Sequence, residues 1–232
     1  QKRISGCEFI AAVFTNLSQD HLDYHIDMES YFQTKIQLFK SPYLISNQCF
    51  RVINIDDDWG IKLFDPYDSS YLAASVKNKD VPNNSQNYFY VSNKKFTNKY
   101  SYCLFHTPSE EIELFVPLLG EFNLMNSIQS IIVLYKLGFP LADICNSLKS
   151  FPGVPGRMER IEIDDNASKN FLPNVIIDYA HTPDGLENVL KTINNFAKGK
   201  IITVFGCGGD RDSQKRPLMG SIAEKFSDYI FI

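Results

Sequence analysis

The side chains in this sequence that could do chemistry gather in three polar clusters, each placed directly after an apolar run. TNLSQDHLDYH (15–25) follows AAVF and holds two of the four histidines, with Asp20, Asp23, two hydroxyls and Asn16. His21 and His25 lie four residues apart, which suits a metal on one helical face, but no third strong ligand is nearby. The stretch also reads as a polar loop capping the next helix. DYAHTPD (178–184) sets Asp178 and His181 ahead of Pro183, a residue suited to the first turn of a helix. Asp178 could hold ribose hydroxyls and the helix start could favour an anion, or the motif is an ordinary strand-to-helix turn. GCGGDRD (206–212) has three glycines that permit close backbone approach. Its Arg211 can clamp a carboxylate through two hydrogen bonds, or pair with Asp210 or Asp212. The spacing is not GxGxxG, so a dinucleotide fingerprint is rejected.

Two quieter positions join these. In FNLMN, Asn123 and Asn126 are three apart near a helix start. Two amides on one face could read the edge of a planar heterocycle, or simply cap the helix. Lys35 lies on an amphipathic helix, where lysine is ordinarily solvated, and periodicity alone does not single it out.

The elements that must position these residues follow from periodicity. Residues 9–14 are a short continuous apolar run, as expected of a strand buried on both faces of a parallel sheet, and CFRVINI (49–55) is a second strand. Between them MESYFQTKIQLF (28–39) has helical spacing, and DDDWG after the second strand reads as an acidic turn. Residues 71–115 break into short β-like pieces, which predicts an antiparallel flap on an α/β body. GEFNLMNSIQSIIVLYKLG predicts a long helix ending at Gly138, and PLADICNSLKSF a second. FPGVPGR (151–157) is the linker candidate; NVIIDYA, KIITVFG and DYIFI then alternate with two helices, which predicts a second parallel sheet. The fold class is therefore α/β in two units, 1–154 and 155–232, with all three clusters at strand ends, where such sheets bind ligands.

Composition bounds the rest. With 232 residues, 44% hydrophobic and a net charge of −4, the chain can bury one large core or two modest ones. Its mild acidity gives no reason to expect nucleic acid, and no apolar stretch approaches the roughly 20 residues that span a bilayer. Five scattered cysteines argue against a disulfide framework and for a reducing cytosol. Gln1 is not a start methionine and the sequence stops on a strand, so a piece of a longer chain is expected.

Taken in order, FTNLSQDHLDYH, YFQTK, GEFNLMN, PGRME, DYAHTPDGLENVL and VFGCGGDRDSQKRPLMG resemble the Mur ligases from end to end. DYAHTPD and GCGGDRD…KRPLMG point to the branch that adds the third residue, diaminopimelate or lysine, to the peptidoglycan stem. The resemblance implies an ATP-binding central domain over 1–154 and a partial Rossmann-like C-terminal domain over 155–232. It implies transfer of the γ-phosphoryl of ATP to a UDP-muramoyl-dipeptide carboxylate, and attack on that acyl phosphate by an amino-acid amine. ATP and Mg²⁺ would be needed, and a cytoplasmic monomer is expected. His21 would be a magnesium ligand, although imidazole is an unusual one. Lys35 would be carbamylated by CO₂, its amine made neutral by desolvation, turning a cation into an oxygen donor. Asn126, backed by Asn123, would read adenine; Arg157 and Asp178 would meet phosphate and ribose, with His181 on the same loop. Arg211 would grip the incoming carboxylate. Gln1, Arg3, Thr15, Asn16 and Ser18 would line the groove for the muramoyl peptide. The family's GxxGKT loop is not in the sequence, so the isolated chain is expected to lack ligase activity. A non-catalytic nucleotide-binding paralogue, or a folylpolyglutamate- or cyanophycin-type ligase, remains open.

Overall fold

The computed structural model describes residues 4–18, 25–77, 85–161, 173–208 and 215–232. Strands Ala11–Phe14 (β1), Phe50–Asn54 (β2), Tyr71–Ser75 (β3) and Tyr88–Phe96 (β4) pair in parallel. Ser101–His106 (β5) and Glu111–Val116 (β6) extend the same sheet antiparallel, in the order β1-β2-β3-β4-β5-β6. The antiparallel part expected from the sequence is thus continuous with the parallel part, and its first piece, β3, belongs to the latter.

Consecutive residues Val52, Ile53, Leu72, Ala73 and Ala74 are all 0% exposed, which requires cover on both faces of the sheet. Val52, Leu72 and Ala74 face α3 (Glu121–Lys136) and α4 (Leu141–Lys149). Ile53 and Ala73 point the other way, into a cluster with Phe14 and with Tyr31 and Phe32 of α1 (Met28–Lys35). Asp27 caps α1 through a reciprocal pair with Ser30, so the cap expected from 15–25 comes from just beyond it. DDDWG is a turn only at its start, at Asp56; Asp57 caps a further helix, α2 (Asp58–Leu63), which takes in the rest.

α3 buries Leu124, Ile128, Ile131 and Ile132, an i, i+4, i+7, i+8 stripe. It ends where Gly138 takes φ +93, with Gly138 N donating to Tyr135 O and Phe139 N to Leu134 O. That is a Schellman ending, and it needs glycine's access to positive φ. Cys103 and Cys145, buried in the core beneath α4, have thiols pushed up to about 12 and about 11 by that burial. They pack as small apolar groups.

The 151–157 turn, closed by a Val154–Arg157 bridge, leads from α4 to the remaining strands. Glu159–Ile161 (β7), which the sequence did not reveal, pairs antiparallel with Val175–Ile177 (β8). Ile202–Val204 (β9) and Tyr229–Phe231 (β10) pair in parallel, packed by α5 (Pro183–Asn194) and α6 (Lys215–Phe226). The expected single parallel sheet is therefore corrected: among the described residues β8 is bonded to β7 and not to β9. Asp178 explains the pairing, because its carboxylate accepts Met158 N and draws the chain after the linker back along β8. The two units meet at an apolar seam of Leu119, Met158 and Val189, joined by Phe122, Ile176 and Phe196.

Candidate functional site

A cleft of about 1330 Å³ opens beside this seam, and both units line it. One wall is the carboxyl end of the parallel sheet. Phe14, Asn54 and Ser75 end β1, β2 and β3, and the residues that follow them, 15–18, Asp56, Asp57, Val76 and Lys77, face the cleft. Thr15 and Asn16 are exposed there, with Ser18 half-buried.

These strand exits are braced by side chains. Asn54 Nδ2 donates to Thr15 O at 2.6 Å, and its Oδ1 accepts Asp56 N at 2.9 Å. Asp56 accepts Ser75 Oγ, Val76 N and Lys77 N. Asp57 accepts Trp59 N and Gly60 N through one oxygen and Leu17 N, at 3.4 Å, through the other. Burial raises the Asp57 carboxyl above its ordinary value, outweighing the three backbone N–H groups that favour the anion. The folded state therefore binds this proton more tightly than the unfolded chain. The stability this contributes is present at acid pH and is lost as pH rises through the folded value. Asp57→Asn keeps a capping acceptor without the charge and is expected to stay within about 1 kcal/mol of wild type at pH 7. Asp57→Ala is expected to cost about 1–2 kcal/mol. Urea unfolding at pH 7 and pH 4 checks both, with wild type gaining on the asparagine variant at the lower pH.

The second wall is α3. Gly120 precedes it at φ +90, with Thr192 of α5 packed so closely that a Cβ there would touch the threonine side chain. Asn123 is buried, its Nδ2 donating to Leu119 O at 2.9 Å, whereas Asn126, one turn on, is exposed on the cleft. Ser127 and Ser130 turn their hydroxyls back to the carbonyls of Asn123 and Asn126. Asn126 therefore leaves an exposed amide on the cleft while Asn123 is tied to the helix start.

The third wall is the loop after β8. Asp178 accepts Met158 N at 2.8 Å through one oxygen and Ala180 N at 2.7 Å through the other. A carboxylate has about four acceptor positions, so it can still take hydroxyl donors. Arg157 is exposed, its guanidinium 4.8 Å from the centre of the Tyr179 ring. His181 Nδ1 lies 3.0 Å from Tyr179 O, and His181 O accepts Lys215 Nζ. Thr182 caps α5 by accepting Gly185 N, with Pro183 in the first turn.

The structure thus brings Thr15, Asn16, Ser18, Asn123, Asn126, Arg157, Asp178 and His181 to one cleft. Gln1, Arg3, His21 and Arg211 lie outside the described residues. Lys35 is described but does not line the cleft. It is exposed, with Nζ 5.2 Å from the centre of the Tyr31 ring, on which His25 also stacks at 4.7 Å. Lys35 sits in the last turn of α1, one turn beyond Tyr31 on the same side of the helix, with its side chain at the surface. Sequence reasoning missed Asn54 and Asp57. The signal was available: a polar residue ending a buried strand and an aspartate just before a helix both mark a brace at a strand exit.

Residues 1–134 match the Mur ligase middle domain and residues 156–232 the Mur ligase, glutamate ligase domain. A UDP-N-acetylmuramoyl-L-alanyl-D-glutamate–2,6-diaminopimelate ligase of Prochlorococcus marinus subsp. pastoris is 60% identical over 234 residues, covering 100% of this chain and 45% of the relative. The ligase of the same name from Gloeobacter violaceus is 44% identical, covering 98% of this chain and 43% of its own length. The chain spans about half the length of the curated relatives it matches. A solved ligase of that name superposes with a TM-score of 0.66 at 32% identity, covering 98% of this chain and 44% of that one. MurF from Acinetobacter baumannii gives 0.74 at 19% identity, covering 95% and 46%, a likeness of fold alone.

Proposed function

The chain belongs to the Mur ligase family, and we propose that it forms the nucleotide cleft of a cytoplasmic, monomeric ligase joining diaminopimelate to UDP-N-acetylmuramoyl-L-alanyl-D-glutamate. One observation carries this reading: side chains from both matched units converge on one cleft at the carboxyl ends of parallel strands. We place the boundary between the units at 154/155, inside the 151–157 turn.

In this reading Asn126 hydrogen-bonds the adenine edge and Asn123 fixes the start of α3 beneath it. Arg157 meets the phosphates, Asp178 takes ribose hydroxyls on its remaining acceptor positions, and His181 borders the same loop. Thr15, Asn16 and Ser18, with Gln1 and Arg3, hold the muramoyl peptide so that its carboxylate faces the nucleotide. Arg211 orients the incoming amino acid by its carboxylate, leaving the amine free to attack. ATP with Mg²⁺ supplies the phosphoryl group that activates the substrate carboxylate and the charge neutralisation that transfer requires. The donor chemistry fits on one condition: a free ammonium at Lys35 cannot ligate Mg²⁺, whereas its carbamate, with His21, can.

The test is ADP release by the full-length protein carrying this sequence, given ATP, Mg²⁺, UDP-muramoyl-dipeptide and either diaminopimelate or lysine. Turnover that requires the dipeptide and diaminopimelate is expected. Absence of turnover, or turnover with a folate acceptor instead, overturns the reading.

A further inference from the structure

Gln129 is 1% exposed on the sheet-facing side of α3, among Leu124, Ile128, Ile131 and Ile132. Its Nε2 donates to Phe14 O at 2.8 Å, across 115 residues of sequence. Its Oε1 has no hydrogen-bond partner among the described residues. An apolar side chain of this volume would fill the space without burying an amide and without an orphaned acceptor. Packing alone therefore argues against glutamine here, and its one bond must account for it.

That bond lands at a particular place. Phe14 O and Thr15 O are successive carbonyls at the exit of β1; Gln129 takes the first and Asn54 the second. Gln129 is one turn from Asn126 on α3, and Phe14 is one residue from the cleft-facing 15–18. We propose that Gln129 is a positioning residue that locks the cleft face of α3 to the exit of β1, so that the two walls hold their ligands in one fixed relation. The inference rests on the ligase reading, in which α3 carries the nucleotide and 15–18 the acceptor peptide. Each wall binds its own ligand without Gln129; what the amide sets is the alignment between them, and misalignment is felt in turnover.

The experiment is Gln129→Met in the full-length protein, a change close to isosteric that removes both the bond and the orphan. The expected result is a kcat at least about tenfold lower, with KM for ATP and for the dipeptide within about twofold. The melting temperature is expected to change little, since the orphaned Oε1 is removed while Phe14 O loses a donor. Hydrogen exchange at the amides of 15–18, measured without substrates, is expected to quicken at least about tenfold while α4 is unaffected. Unchanged kcat and exchange overturn the proposal, as does a loss of kcat that merely follows a lowered melting temperature. If Gln129→Met does not fold, Gln129→Leu, which also lacks the donor and adds no charge, carries the same expectations. A wild-type protein without turnover overturns the ligase reading instead, and the exchange measurement still decides the role of Gln129.

Discussion

Gly60→Ala is expected to destabilise the protein by more than about 3 kcal/mol, the largest loss from a methyl group added at any described glycine. Gly60 is buried in the first turn of α2, and a Cβ there would overlap the backbone carbonyl oxygen of Asn54. That oxygen belongs to the end of β2, so it cannot give way as a flexible side chain would. α2 would have to lift away instead. Lifting breaks the Asp57 cap on Trp59 N and Gly60 N and the packing of Trp59 on Phe32, whose ring centres are 4.9 Å apart. It also pulls Asp57 from Leu17 N, so the damage reaches the cleft. Denaturant unfolding measures the loss. In folded protein near the midpoint, exchange at 15–18 should quicken before exchange in α4.

Asp178→Ala is expected to weaken nucleotide binding at least about 100-fold and to cost about 2–4 kcal/mol of stability. Two backbone donors lose their acceptor, and an orphaned donor costs about 1–3 kcal/mol. One of them, Met158 N, belongs to a buried residue held at φ +47, a conformation that methionine adopts only where its surroundings fix it. Its release frees β7 from β8 and lets Arg157 leave the Tyr179 ring. Under the proposed reading, the nucleotide thus loses a ribose contact and the placement of its phosphate contact together. Leu186→Ala separates the effects: Leu186 is 5% exposed in the α5–α6 core, and its truncation is expected to cost about 2–5 kcal/mol. Calorimetric titration with an ATP analogue below the melting range should then show near-normal affinity for Leu186→Ala and little binding for Asp178→Ala.

Much of the scaffold was legible because burial leaves its mark on sequence. AAVF, a continuous apolar run, and CFRVINI are both parallel strands as expected. The cover on both faces expected for the first holds only farther into the sheet, since among the described residues β1 lies at its edge with Val13 exposed. The long helix and its Gly138 ending were written in a 3.6-residue stripe and one glycine. β7 was not legible: three residues after a linker have no period to read, and an acidic side chain 20 residues away fixes their pairing. The cleft was half legible. Asn126, Arg157 and Asp178 stand out as polar residues at strand and helix ends, yet nothing local shows that Asp178 grips Met158 N or that Asn123 is tied to Leu119. Lys35 was not legible from periodicity at all: only the family resemblance singles it out, and in the structure it is an exposed residue beside the Tyr31 ring. Gln129 was invisible, because a glutamine inside an apolar stripe looks like an interruption until its bond to Phe14 is seen.

The central claim is that one nucleotide bridges the two units, with its base on α3 and its ribose and phosphates at the loop after β8. Photolabelling of the full-length protein with an azido-adenine ATP analogue, followed by peptide mapping, tests it most directly. Labels are predicted on peptides spanning 119–130, with competition by ATP, and Asp178→Ala should abolish them. Competable labelling confined to β4–β6, or labelling of α3 that Asp178→Ala leaves at full strength, would contradict the account.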